Sequence, residues 1–216
     1  MATQPDPSTC FLTPENSLVI LLDYQPRTII AVRSMDPQTT INNSVYLAKA
    51  AAALQIPAIL STIHRKNSGD LHPGIGDCFP GVVPIDRASR NAWSDPGFLA
   101  AVRKADRRKL VLAGLLTEVC LCFTTLSALE AGYEAYIVID ASGGTSIAAH
   151  EAAIQRMVQA GATPVSVQQV VSEYAEGAAS PQRRAALVPI IERHAGGFGQ
   201  MFIFKEHISS ESRNKT

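Results

Sequence analysis

The sequence predicts a three-layer α/β/α domain built on a mainly parallel central sheet, and three observations carry that prediction. Residues 17–22, 57–62, 110–113 and 135–139 are short, near-continuous apolar runs, the mark of strands buried on both faces. The segments between them place apolar residues at helical spacing, so strands and helices alternate. The ends of the runs are residues that turn a chain or carry chemistry, namely Asp23, Gly114 and Asp140.

The first run, Ser17-Leu18-Val19-Ile20-Leu21-Leu22, delivers Asp23, then Tyr24-Gln25-Pro26. Ligand sites of open parallel sheets lie beyond the carboxyl ends of strands, which makes Asp23 the expected place for a catalytic carboxylate. A carboxylate there can equally cap the next helix. Asp36-Pro37 opens a long helix with Val45, Leu47, Ala48, Ala51, Ala52 and Leu54 on its inner side. After the second strand, residues 63–80 read as a long polar loop of the kind that shapes or covers a site. Its two histidines, His64 and His72, lack metal-ligand spacing and are expected to be hydrogen-bonded or solvated. Residues 82–86 read as a short strand, with Arg87 after its end and a turn to Trp93. Ser94-Asp95-Pro96 then starts a helix with Phe98, Leu99 and Val102 inside.

Lys109 to Ala113 leads through Gly114 to Thr117-Glu118-Val119-Cys120, where a helix begins and runs to Gly132. After the strand at 135–139, a tight turn from Asp140 to Thr145, capped by Asp140 or Ser142, enters a helix over 147–160. Its Gly143-Gly144 pair matches neither a P-loop nor a dinucleotide fingerprint. Residues 162–167 predict a last strand, placed at a sheet edge by Pro164. The pattern changes from Gln168 onwards: Ser180-Pro181 opens a helix to Arg193, and Gly196, Gly197 and Gly199 loosen the chain. The expected organisation is one domain over residues 14–195 and a tail over 196–216. In that tail the apolar cluster at 201–204 packs on the domain or on a neighbouring subunit, and residues 209–216 are disordered.

The chain of 216 residues carries 19 basic and 19 acidic side chains, which argues against nucleic acid or an anionic membrane as partner. Residues 1–13 lack the cationic start and apolar core of a secretion signal, and the four cysteines lack paired spacing. Both fit reduced thiols in the cytoplasm. Free cysteines are commonly small buried apolar groups. Cys120, though, follows a strand end in the first turn of a helix, where unpaired N–H groups and the helix dipole favour negative charge. It is therefore the candidate nucleophile, with a thiol expected to be pushed towards thiolate.

Asp23 after the first strand, Arg87 after the third and Cys120 after the fourth together resemble the isochorismatase-like cysteine hydrolase superfamily, a Rossmann-like fold class. The local matches are Leu21-Leu22-Asp23-Tyr24-Gln25, Ala113-Gly114-Leu115-Leu116-Thr117-Glu118-Val119-Cys120, Ser127-Ala128-Leu129-Glu130-Ala131-Gly132-Tyr133, Asp140-Ala141-Ser142-Gly143 and Arg156-Met157-Val158-Gln159-Ala160-Gly161-Ala162. Asn91-Ala92-Trp93 and the run ending in Cys120 look most like the ycaC-type subgroup.

The resemblance implies a hydrolase of small amides or ureido compounds. Cys120 would be its nucleophile, Asp23 its general base and then acid, and the N–H groups of Leu116 and Cys120 its oxyanion hole behind a cis Leu115–Leu116 peptide. Gln25, Phe79, Trp93 and Thr117 are the expected substrate-binding residues. Arg87 stands where the family has lysine, and an arginine holds its charge without shuttling protons. No metal and no other cofactor is expected, because the Asp-x-His pair of the family's nicotinamidases is missing around His64. The subgroup's ring-like assemblies imply a homo-oligomer. Two other readings remain open at this point: vinyl ether hydrolysis with Cys120 a bystander, and a binding or assembly protein that kept the scaffold.

Overall fold

Strand β1 (Ser17–Leu22) is buried along its whole length at the centre of a six-stranded sheet in this computed structural model, which describes residues 10–176 and 180–213. From β1 the chain continues through α1 (Pro26–Ile29), α2 (Pro37–Ala53), β2 (Ala58–Ile63), α3 (Arg65–Ser68), α4 (Pro73–Gly76), β3 (Ile85–Arg87), α5 (Pro96–Ala105) and β4 (Lys109–Gly114). A π turn (Thr117–Leu121) leads into α6 (Cys122–Glu130). Then come β5 (Glu134–Val138), α7 (Ile147–Gln159), β6 (Thr163–Val165), α8 (Val167–Ala175), α9 (Ser180–His194) and α10 (Gly196–Arg213).

All strand pairs are parallel, in the order β3-β2-β1-β4-β5-β6. Alternation along the strands feeds two cores. Val19, Leu21, Val111 and Ala113 pack with Leu47 and Ala51 of α2, Val170 and Tyr174 of α8 and Leu187 of α9. Leu18, Ile20, Leu110 and Leu112 pack on the other face with Phe98 of α5, Ala128 of α6 and Met157 of α7. The three-layer α/β/α class read from the sequence is the one observed.

The order reverses between β1 and β4: the chain adds β2 and β3 on one side, then β4, β5 and β6 on the other. The carboxyl ends of β1 and β4 therefore flank the crevice where ligands bind in such sheets. Gly114 lets the two strands close there. It sits opposite Leu22 in register, and a Cβ on it would lie 2.7 Å from Leu22 Cβ and 3.1 Å from the Leu22 carbonyl oxygen. Backbone cannot rotate out of the way as a side-chain tip can. Gly114→Ala is therefore expected to cost about 1–3 kcal/mol, read as a lower urea midpoint at unchanged slope.

Several local expectations are corrected. The third strand is Ile85–Arg87 and ends on Arg87 itself, where 82–86 was expected. The 63–80 loop contains two short helices, α3 and α4, and His72 Nδ1 accepts the Gly74 N–H as the cap of α4. Neither Asp140 nor Ser142 caps α7; Ser146 does, accepting from Ala149 N. The last strand stops at Val165, at the sheet edge as Pro164 implied, and Val167 already opens α8. Its Val167, Val170, Val171 and Tyr174 recur at helical spacing on the buried side. The glycines at 196–199 do not loosen the tail: they start α10, which packs on α9 and is helical through residues 209–213 expected to be disordered. Residues 214–216 lie outside the described ones. Among the described residues, no helix is long and apolar enough to cross a membrane.

Candidate active site

Asp23 leaves β1 with φ of +62°, in the left-handed region that few residues other than glycine adopt. Its N–H bonds to the Ser61 carbonyl at 2.9 Å and its own carbonyl accepts the Gln25 N–H at 2.8 Å, so the backbone turns sharply at the strand tip. The carboxylate is fully buried. Oδ2 accepts a hydrogen bond from Arg87 Nη2 in an ion pair whose two side chains are both inaccessible to solvent. The second oxygen, Oδ1, is buried with no hydrogen-bond partner among the described residues.

Arg87 arrives from the edge strand β3, two strands away, and its guanidinium is held at three points. Nε donates to Ser61 Oγ at 3.0 Å, Nη1 to the Ser89 carbonyl, and Nη2 to Asp23. Cys120 enters from the other side of the crevice, on the π turn after β4. Its sulfur lies close enough to Asp23 and Arg87 that each perturbs its titration, and the three side chains predicted from the sequence do converge.

The ionisation of that sulfur corrects the sequence reading. Burial, then the nearby charge of Asp23, push Cys120 up to about 12; Arg87 offsets only part of this. The resting thiol is neutral, although the helix-start position favoured a thiolate. The residue keeps 5% of its surface exposed. Asp23 is itself raised above its ordinary 3.8, chiefly by burial and against the pull of Arg87. The neutral thiol thus lies beside a buried carboxylate.

The turn carrying Cys120 is braced from the β5–α7 loop. Gly114 N–H donates to Ser142 Oγ at 3.2 Å and Thr117 N–H to the Gly143 carbonyl at 2.9 Å. The Leu115–Leu116 peptide is cis. The Leu116 carbonyl accepts from Val119 and Leu121 but not from Cys120, and the Leu116 N–H makes no hydrogen bond among the described residues. Such local π geometry is frequent at functional sites.

The four residues expected to bind substrate fare differently. Gln25 is buried and spends its amide on the chain: Nε2 donates to the Gly69 carbonyl at 2.6 Å and Oε1 accepts the Ile63 N–H at 2.8 Å. It pins the 63–80 segment. The Thr117 hydroxyl is paired with His150 Nδ1 at 2.8 Å. Phe79 is buried in the core of one face, and Trp93 packs edge-on against Phe98 and Tyr133 on the other. The hydrogen-bonding groups of Gln25 and Thr117 are thus paired within the chain. Sequence reasoning missed Ser61, Ser89 and Ser142, although Ser61 lies near the carboxyl end of β2, where the rule that found Asp23 applies equally.

A family model for the isochorismatase domain matches residues 17–169. An Escherichia coli protein described as probable hydrolase YcaC is 35% identical over 153 residues, which cover 70% of this chain and 74% of that one. The solved YcaC of Pseudomonas aeruginosa, carrying hexane-2,5-diol and covalent acrylamide, superposes with a TM-score of 0.86 at 30% identity, over 91% of this chain and 98% of its own. The E. coli YcaC structure, an octameric hydrolase of unknown specificity, gives a TM-score of 0.87 at 29% identity over 95% and 100%.

Proposed function

The chain belongs to the isochorismatase-like hydrolase family, and on that premise we propose that it is a cysteine hydrolase that cleaves a C–N bond of a small amide or ureido compound through a thioester on Cys120. The observation that carries this reading is the convergence of a buried carboxylate, a buried guanidinium and a thiol at the reversal point of the sheet. Covalent acrylamide on the P. aeruginosa relative supports it, since acrylamide is an electrophile that thiol nucleophiles attack.

The neutral thiol sets the order of proton transfers. Asp23 takes the Cys120 proton as sulfur attacks the carbonyl carbon, so the thiolate exists only as the C–S bond forms. Negative charge moves to the carbonyl oxygen, where the N–H groups of Leu116 and Cys120 are the donors. The protonated Asp23 then gives its proton to the leaving nitrogen, the C–N bond breaks and the thioester remains. Water attacks next, losing its proton to Asp23; the C–S bond breaks and Asp23 returns that proton to sulfur. The sum is amide plus water to acid plus amine. Arg87 stays charged throughout and keeps Asp23 ionised between proton transfers. The nucleophile, base and cation are all side chains of this chain, and none of these steps uses a cofactor.

A small molecule is the substrate class, and a homo-oligomer is the expected assembly, in line with the octameric E. coli relative. Intact-mass measurement after incubation with a panel of small primary amides and ureides tests the chemistry. An acyl adduct on Cys120 that disappears in Cys120→Ser is the expected result. No adduct and no product across the panel would sink the proposal.

A further inference from the structure

Arg87 must cross the sheet to act. It belongs to β3, and Asp23 to the tip of β1, with β2 between them. Two strand spacings amount to about 9.5 Å, a gap closed only by the extended arginine and the Asp23 side chain together. Such a chain lies across the carboxyl end of β2, and the residue it meets there is Ser61, which faces the site from two directions. Its carbonyl accepts the Asp23 N–H at 2.9 Å, and its hydroxyl accepts from Arg87 Nε at 3.0 Å while donating to the Ile85 carbonyl at 3.0 Å. The hydroxyl thus both donates and accepts, and the residue is wholly buried.

We propose that Ser61 is a positioning residue for the reaction: it locks the Arg87 guanidinium so that one edge serves Asp23 and Cys120. Lysine at position 87 would present a single nitrogen with no second edge to fix. A guanidinium is planar, and whichever of its donors faces the crevice is set by how the others are held. The Ser89 carbonyl holds Nη1 and Ser61 holds Nε, leaving Nη2 to face the carboxylate. Without the Ser61 hydroxyl the plane can rotate about Cδ–Nε, and a buried N–H is left unpaired, which favours such a rotation. The bond from Ser61 Oγ to the Ile85 carbonyl points the oxygen's remaining acceptor capacity at Nε, so the lock is itself fixed by the β2–β3 pairing.

The proposal rests on Cys120 being the nucleophile, and its test separates the two. Cys120 alkylation by iodoacetamide at pH 9, followed by peptide mass mapping, is compared in the parent, Ser61→Ala, Arg87→Met and the double variant. Ser61→Ala is expected to slow Cys120 about five- to tenfold and to leave Cys10 labelling unchanged. In the Arg87→Met background the same substitution is expected to change nothing, because no guanidinium remains to be placed. An unchanged rate in Ser61→Ala, or an equal slowing in both backgrounds, overturns the proposal. If Cys120 resists labelling even in the parent, the nucleophile reading is what fails. The crystal structure of Ser61→Ala then decides the lock: a guanidinium turned away from Asp23 supports it, and one left in place refutes it.

Discussion

Cys120→Ser is expected to retain the fold, with a melting temperature within a few degrees of the parent, and to lower amide hydrolysis by about 10³-fold or more. An oxygen fills nearly the space of the sulfur, and at a site with 5% exposure little repacking is needed. The hydroxyl, however, is far less acidic than even a thiol raised to about 12, so proton transfer to Asp23 becomes the dominant barrier. The pH profile of the parent carries the same chemistry. Asp23 must be ionised to act as base, so activity falls as pH drops through its folded value. Because burial raises that value, the acid limb is expected above the ordinary 3.8. Cys120 alkylation should climb about tenfold per pH unit between pH 7 and 10 with no plateau, as required of a thiol near 12. Hydrolysis that survives Cys120→Ser would transfer the chemistry to Asp23 as an acid and leave the sulfur a bystander.

The fold was legible because the sheet is parallel and covered on both sides. β1 and β4 read as unbroken apolar runs, and the residues at their carboxyl ends are where side chains can reach a crevice. That rule singled out Asp23 and, with the helix start behind it, Cys120; Arg87 gained its role only through the family resemblance. What the rule cannot give is direction and dielectric. Gln25 and Thr117 adjoin site residues in sequence, but their polar groups turn to Gly69, Ile63 and His150. The thiol stands near a helix start as expected, yet burial and a neighbouring carboxylate outweigh the helix, and neither is visible in one strand–turn–helix segment. The helix α8 was missed although its apolar spacing was present, because Pro164-Val165-Ser166-Val167 read as a continuing strand. Ser61 was missed because its role depends on a side chain that crosses from another strand.

Removing the cation that spans those strands is expected to cost stability as well as activity. Arg87→Met leaves Asp23 wholly buried without its ion-pair partner, and stranding one member of such a pair typically costs about 3–5 kcal/mol. Burial already lifts Asp23 above 3.8, with Arg87 as the largest opposing influence, so the substitution lifts it further. A carboxyl with a raised folded pKa favours the fold in its protonated form. That contribution is fully present below the unfolded pKa and is lost as pH rises through the folded one. The gap between parent and variant is therefore expected to be widest near pH 7 and to narrow as pH falls to 4 and below, in urea unfolding at each pH. Asp23→Leu combined with Arg87→Met should recover a large part of the loss, since no charge is then left in the crevice. A gap that stays constant with pH, with no recovery in the double variant, would place the cost in the packing of the arginine stem, and the buried carboxylate would no longer account for it.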